Sequence, residues 1–270
     1  MSSPARTDVV RHTDGREQCL HVWEAAGDPR AIVVLVHGYA EHAARYDHVA
    51  RRLAGAGIAV WSTDLRGHGR SSGERASVSA IAELVADARF ALDRARAAYP
   101  GVRVFLVGHS MGGLVATRFF LEAQREIAGL VLSGAAISDP TGVEAVLEVD
   151  PLPPIVLSSD LLSRDPAVVA AYDADPLVYR GPFRRETLAA LAHGAREVRA
   201  RAHEIVGPLL VLHGADDAIV PAVASEELFA AVGSADKELT AYPGLRHEIL
   251  NEPEGGEIVD RIAAWIAARA

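Results

Sequence analysis

Midway along the chain, Val104-Phe-Leu-Val runs into Gly108-His109-Ser110-Met111-Gly112-Gly113 and out into an apolar helical pattern. A buried strand followed at once by Gly-x-Ser-x-Gly and a helix leaves few architectures open. The serine must sit on a sharp turn with little room for neighbouring side chains. Gly108 and Gly112 leave that room, and Gly113 lets helix and sheet approach closely. The turn puts Ser110 at a helix N-terminus, where the N–H of Met111 lacks an intrahelical acceptor and can receive a developing oxyanion. Gly-x-Ser-x-Gly by itself is a common accident. The strand before it and the helix after it make Ser110 a candidate nucleophile.

The surrounding sequence repeats this strand–helix alternation. Short apolar runs at 31–36, 58–61, 104–107, 130–132 and 209–212 do not alternate with polar residues, as expected of parallel strands covered on both faces. Helical periods over about 45–54, 80–98, 111–124, 222–232 and 253–268 separate them. The pattern predicts an α/β chain with a mostly parallel, doubly wound sheet. Residues 139–205 break the rhythm with seven prolines and no convincing strand. A structureless insert of that length does not suit a compact domain, so a small helical cap is expected there. The predicted organisation is core over 1–138, cap over 139–205, and core again over 206–270.

A serine hydroxyl needs a base, and the base needs an orienting acid. On this architecture the chain order is serine, acid, histidine. Of the 11 histidines, only His193, His203, His213 and His247 follow Ser110. His193 and His203 belong to the insert, and His213 ends a strand, where packing near the acid is expected. His247 lies in a loop before the last helix and is the expected base. The acid is expected just after the strand at 209–212, where Asp216 and Asp217 both stand. Loops at the carboxyl ends of parallel strands converge, which brings these pieces together. A second oxyanion donor belongs to the loop after an early strand. There Val36-His37-Gly38-Tyr39 offers the N–H of Tyr39, although His-Gly alone is also a plain strand-ending turn.

Two further clusters have bland alternatives. Glu41 could orient polar substrate groups or serve as a helix N-terminal charge. Asp64-Leu-Arg-Gly-His-Gly-Arg-Ser71 reads as a structural Asp–Arg network ahead of a substrate contact. Cys19, in Cys19-Leu-His-Val-Trp23, reads as a small buried strand residue. As the one cysteine, it rules out an intramolecular disulfide and a cluster of thiolate ligands.

These motifs together resemble the monoacylglycerol lipase family of the α/β-hydrolase fold, especially its bacterial members. The resemblance rests on His37-Gly-Tyr-Ala-Glu-His-Ala-Ala-Arg-Tyr46, Asp64-Leu-Arg-Gly-His-Gly-Arg-Ser71, Gly108-His-Ser-Met-Gly-Gly113 and His213-Gly-Ala-Asp-Asp-Ala-Ile-Val-Pro221. It extends to Ser163-Arg-Asp-Pro166 with the residues through Val178, and to Tyr242-Pro-Gly-Leu-Arg-His-Glu248 with Asn251-Glu-Pro253. It implies Ser110, Asp217 and His247 as catalytic residues, Tyr39 and Met111 as oxyanion donors, and Glu41 as a substrate-binding contact to glycerol. By the family spacing Asp217 takes precedence over Asp216. Asp139 is a weaker alternative, since some relatives carry the acid after the preceding strand. Ala40 stands where relatives often have Gly. The early cap, 139–162, looks shorter than in relatives and carries the unusual Val149-Asp-Pro-Leu-Pro-Pro154.

The expected activity is hydrolysis of monoacylglycerols to glycerol and fatty acid through an acyl-enzyme. A general or xenobiotic monoester carboxylesterase is the alternative, with an aminopeptidase-like amidase behind it. A haloperoxidase- or epoxide-hydrolase-like reading is disfavoured, since dehalogenases and epoxide hydrolases carry Asp at the elbow. A catalytically silent ligand-binding protein is the non-enzyme alternative, although such proteins often lose a triad member. No metal or organic cofactor is called for, and the expected partner is a small lipid or ester substrate. Half the residues are hydrophobic and 23% charged, as in soluble globular chains. The net charge of −9 argues against nucleic acid and against electrostatic recruitment to anionic lipid. Without a signal-like start or an apolar run near 20 residues, the expected setting is the cytoplasm, with transient contact of the cap at a membrane or lipid surface. The residues leave the oligomeric state open.

Overall fold

The computed structural model describes residues 6–137 and 142–270. Among them, eight strands form one sheet in the order β1-β2-β4-β3-β5-β6-β7-β8. The strands are β1 (Arg6–Arg11), β2 (Glu17–Trp23), β3 (Ala31–Val36), β4 (Ile58–Thr63), β5 (Val104–His109), β6 (Gly129–Ser133), β7 (Leu209–Gly214) and β8 (Lys237–Tyr242). The hairpin β1–β2 and the β2–β4 pair are antiparallel, and β4, β3 and β5 to β8 run parallel.

All five predicted strands form, and every residue of β3 to β7 is buried. That burial is what their unbroken apolar runs report. Cys19 is buried in β2, as expected. The edge strands β1 and β8 carry RTDVVR and KELTAY and are half-exposed, so they show no apolar run to read. Charged, short edges also keep a sheet from pairing with other chains.

The helices α1 (Asp47–Gly55), α2 (Ile81–Ala98), α3 (Met111–Ala123), α7 (Val223–Ala231) and α8 (Gly255–Ala267) match the predicted periods within a few residues. Residues Ala43–Tyr46 form a separate 3₁₀ turn ahead of α1, so the α-helix starts two residues later than the period from 45 predicts. The helices cover both sheet faces. One apolar cluster packs α2, α3 and part of the insert on one face, and another packs α1 and α8 on the other. Between β6 and β7 lie α4 (Val143–Leu147), α5 (Pro166–Ala174) and α6 (Arg185–Arg201), with no strand among the described residues. Asp165 caps α5 by accepting the Ala167 N–H, and Pro166 suits the first helical position. α6 packs on α3, which ties this segment to the helix that follows Ser110.

Candidate active site

Ser110 joins β5 to α3 with φ 54° and ψ −122°, a left-handed conformation unusual for a residue with a side chain. Its N–H donates to the Ser133 carbonyl at 3.0 Å, and its own carbonyl accepts the Ala136 N–H at 3.1 Å. These contacts clamp the turn from β6. The flanking glycines are forced by close approach. A Cβ on Gly108 would lie 2.4 Å from the Gly112 carbonyl oxygen, and one on Gly112 would lie 2.1 Å from that of Val36. Met111 opens α3, so its N–H is among the four without an intrahelical acceptor.

The other pieces converge on the same end of the sheet. Past β7, Asp217 is buried and its Oδ2 accepts from His247 Nδ1 at 2.7 Å. The same oxygen lies 3.1 Å from His213 Nε2, while Oδ1 accepts the N–H groups of Ile219 and Val220 at 2.9 Å each. His213 Nε2 faces two acceptors, Asp217 and the Val220 carbonyl at 2.7 Å, so that nitrogen carries the proton. His213 thus buttresses the acid, as expected of it. Asp216, one residue earlier, is exposed and does not meet His247. Asp139 lies outside the described residues.

Burial would raise the Asp217 carboxyl, but the His247 charge and the hydrogen bonds from His213, His247 and Val220 hold it well below the usual carboxylate range. Burial would lower the His247 imidazole, yet the Asp217 charge and hydrogen bond raise it above its ordinary value, with Glu248 and Glu41 adding to the effect. His109, whose ring centroid is 4.7 Å from that of His247, has no such partner, and burial pushes it down to about 4. Of these two neighbouring buried histidines, the one paired with a carboxylate is favoured in its charged form and the other in its neutral form.

Tyr39 lies on the loop after β3. His37 Nε2 accepts the Leu65 N–H at 2.9 Å, and its Nδ1 donates to the Gly38 carbonyl at 2.8 Å, which fixes the loop. Ala40 has φ 67°, a value that glycine adopts more readily than a residue with a side chain. The Tyr39 ring stacks on Phe183 at 4.2 Å, joining the loop to the insert.

Glu41 lies before the first helical turn, which begins at Ala43, so it is not a charge in that turn. Its carboxylate is buried under the loop: Oε1 accepts from the Gly38 N–H and the Tyr46 hydroxyl at 2.6 Å each, and Oε2 accepts from Arg45 at 2.6 Å. Arg45 also grips Glu248 with two hydrogen bonds of 2.6 and 2.8 Å and lies over the Tyr172 ring at 4.8 Å. The guanidinium thereby links the Tyr39 loop, the neighbour of His247 and the insert. Sequence reasoning missed this hub. Its available signals were the Glu41–Arg45 spacing of four and the Glu directly after His247. The Asp–Arg network expected at Asp64 is also corrected. Asp64 accepts from the backbone N–H groups of Ala43 (3.0 Å) and Arg70 (2.8 Å), while the Arg66 guanidinium pairs with Asp87. A buried carboxylate at a strand end is better satisfied by fixed backbone donors than by a flexible side chain.

Ser110, Met111 and Tyr39 line one end of a cavity of about 360 Å³. Its remaining walls are mostly apolar and come largely from the insert (Val146, Ile155, Leu157, Phe183, Leu191) and from Ile219, near Asp217 in sequence. A strained serine at a helix N-terminus, a His–carboxylate pair and an apolar cleft together suit acyl transfer from a hydrophobic ester.

Comparison with known proteins agrees with this chemistry. Residues 27–254 match the family model described as serine aminopeptidase, S33. The chain is 41% identical over 256 residues to the monoacylglycerol lipase of Mycolicibacterium smegmatis, covering 92% of this chain and 91% of that one. It is 32% identical to human monoglyceride lipase, covering 99% and 95% of the two chains. The crystal structure of Paleococcus ferrophilus monoacylglycerol lipase superposes with a TM-score of 0.79 at 29% identity, covering 94% of this chain and 99% of that one. The protein belongs to the serine aminopeptidase S33 family of α/β-hydrolases and, within that fold, to the monoacylglycerol lipases, which makes it a serine ester hydrolase.

Proposed function

We propose that the protein hydrolyses monoacylglycerols to glycerol and free fatty acid, with Ser110 as nucleophile, His247 as base and Asp217 as its orienting acid. His247 Nε2 takes the Ser110 proton as Oγ attacks the ester carbonyl. Asp217 holds the imidazole by Nδ1 and stabilises its charged form. The N–H groups of Met111 and Tyr39 receive the oxyanion, where one such donor is worth about 3 kcal/mol of barrier. His247 then protonates the leaving alcohol, and water, activated by the same histidine, releases the fatty acid.

The observation that carries the substrate class is the apolar cavity opening at Ser110. At about 360 Å³ it lies in the size range of small-molecule sites, and its mostly apolar lining suits an acyl chain. The insert over 139–205 acts in this reading as a cap that supplies most of that wall. Glu41, which accepts the Gly38 N–H beneath the oxyanion loop, is in this reading the contact to glycerol on the alcohol side. The setting is the cytoplasm, with Val149 and Val156 of the cap, 49% and 51% exposed, meeting lipid surfaces transiently. No helix among the described residues is long and apolar enough to cross a membrane.

The test is kcat/KM for mono-, di- and tricaprin at equal molarity, together with acyl chains from acetate to decanoate. Each buried methylene contributes about 0.8 kcal/mol, or roughly fourfold in kcat/KM, through the medium range. Monocaprin should be the best of the three caprins. If tricaprin is cleaved as fast, or acetate esters outrun longer ones, a general carboxylesterase replaces this reading.

A further inference from the structure

Away from Ser110, on the far side of the Tyr39 loop, three potential metal ligands meet beneath the β1–β2 hairpin. Cys19 Sγ lies 3.4 Å from His21 Nε2, and the same nitrogen lies 3.2 Å from Asp64 Oδ1. All three ligand atoms fall within 4.8 Å of one another, and all three residues are buried. Metal–ligand bonds of about 2.0 Å to N and O and 2.3 Å to S place two ligand atoms of a tetrahedral zinc roughly 3.3–3.6 Å apart. The Cys19–His21 and His21–Asp64 spacings fall within a few tenths of an ångström of that range.

The surroundings orient two of the three ligands. Thr7 Oγ1 lies 3.3 Å from His21 Nδ1 and can accept its proton, which leaves the Nε2 lone pair for a cation. The Ala43 and Arg70 N–H groups orient the Asp64 carboxylate. His21 and Asp64 also line a cavity of about 710 Å³ that separates the hairpin from α5 and gives a route in. Three aspartates (Asp47, Asp64, Asp175) and one arginine (Arg70) border it, a balance that favours a cation. His42 provides a separate sign. It is buried on the wall of this cavity, donates Nε2–H to Asp175 at 2.8 Å, and has an Nδ1 with no hydrogen-bond partner among the described residues. His42 thus leaves one buried acceptor unused next to this cavity.

We propose that Cys19, His21 and Asp64 form a binding site for one zinc-class divalent cation, entered from the cavity walled by His42. Cys19 binds as the thiolate, its proton passing to solvent, and the fourth position is left to water. The site is separate from the ester chemistry. Through Asp64, which holds the Ala43 N–H, it ties β2 to the base of the Tyr39 loop.

Titration of the reduced, full-length protein with Co²⁺, followed by Zn²⁺ competition, tests this. One equivalent of Co²⁺ should produce a thiolate-to-cobalt charge-transfer band that Zn²⁺ abolishes. Cys19→Ser should lose the band, and His21→Gln should weaken binding at least tenfold. Thr7→Val, which keeps all three ligands, should weaken it about tenfold. No charge-transfer band in the wild type overturns the proposal without any variant, so a variant that fails to fold does not shelter it. Unchanged Zn²⁺ affinity in folded Cys19→Ser overturns it equally, since the metal would then sit on surface histidines and the cluster would be a hydrogen-bonded row.

Discussion

Replacing Arg45 with Met removes the single cation that two buried carboxylates share. The side chains of Glu41 and Glu248 are 2% and 4% exposed, and that of Arg45 is 10% exposed. Met keeps most of the aliphatic stem but leaves both carboxylates without their counter-ion. Breaking a buried ion pair from one side costs about 3–5 kcal/mol, because the remaining charge stays desolvated. Glu41 retains the Gly38 N–H and Tyr46 hydroxyl, and Glu248 retains Asn251 at 2.6 Å, so a value near the lower end is expected. At about 2–4 °C per kcal/mol, the melting temperature should fall by roughly 6–12 °C.

The pH dependence gives the sharper discrimination. In the wild type, burial pushes the Glu248 carboxyl up, but the Arg45 charge and hydrogen bonds more than reverse this and hold it below its ordinary value. Its contribution to stability is therefore full above the unfolded value of about 4.3 and is lost only as pH falls through the still lower folded value. Between pH 7.5 and 5.5 it is constant. Without Arg45 the burial effect dominates and the carboxyl rises above its unfolded value. The variant then binds a proton on folding and gains stability as pH falls, by up to about 1.4 kcal/mol per pH unit. Urea denaturation of both proteins at pH 7.5 and 5.5 should show a gap that narrows towards acid. Adding Glu248→Gln to Arg45→Met should recover part of the loss at pH 7.5. A deficit below about 1 kcal/mol at pH 7.5, or a gap independent of pH, would refute the assignment of Arg45 as the shared counter-ion.

Two further predictions concern the His247–Asp217 pair. Because His247 must be neutral to act as base and its imidazole is raised, the acid limb of kcat/KM should have an apparent pKa above the ordinary 6.5, measured with a soluble monoester. Asp217→Asn should lower kcat by about 10⁴ and move that limb to lower pH, while Asp216→Asn, at an exposed position, should change kcat little. Equal losses from both variants, read in steady-state kinetics, would contradict the geometry.

Much of this architecture could be read from the chain because its signals are local. Strands β3 to β7 lie inside the sheet, so each is an unbroken apolar run. The elbow is legible because steric crowding demands Gly108 and Gly112 at set places around Ser110. By contrast, β1 and β8 are edges that face water on one side, and their mixed sequences look like loops. The role of Glu41 was hidden for another reason. Its partners Gly38, Arg45 and Tyr46 are near in sequence, but Glu248 is more than 200 residues away, and only the closed sheet brings it to Arg45. The cluster of Cys19, His21 and Asp64 is likewise assembled by the β2–β4 pairing, which a list of isolated motifs does not contain. The insert between β6 and β7 was legible only as an interruption. Its short helices lack a long apolar stripe, since part of their apolar surface faces the cavity beside Ser110 and not the core.

The central claim is that Ser110 is the hydrolytic nucleophile, and covalent labelling tests it most directly. A fluorophosphonate probe, read by intact mass and peptide mapping, should add one adduct, on Ser110, and abolish ester hydrolysis in proportion to labelling. Ser110→Ala should take no label and lose roughly 10⁴–10⁶ in kcat while remaining folded. Stoichiometric labelling of a different serine, or near-wild-type hydrolysis by the Ser110→Ala protein, would contradict the account.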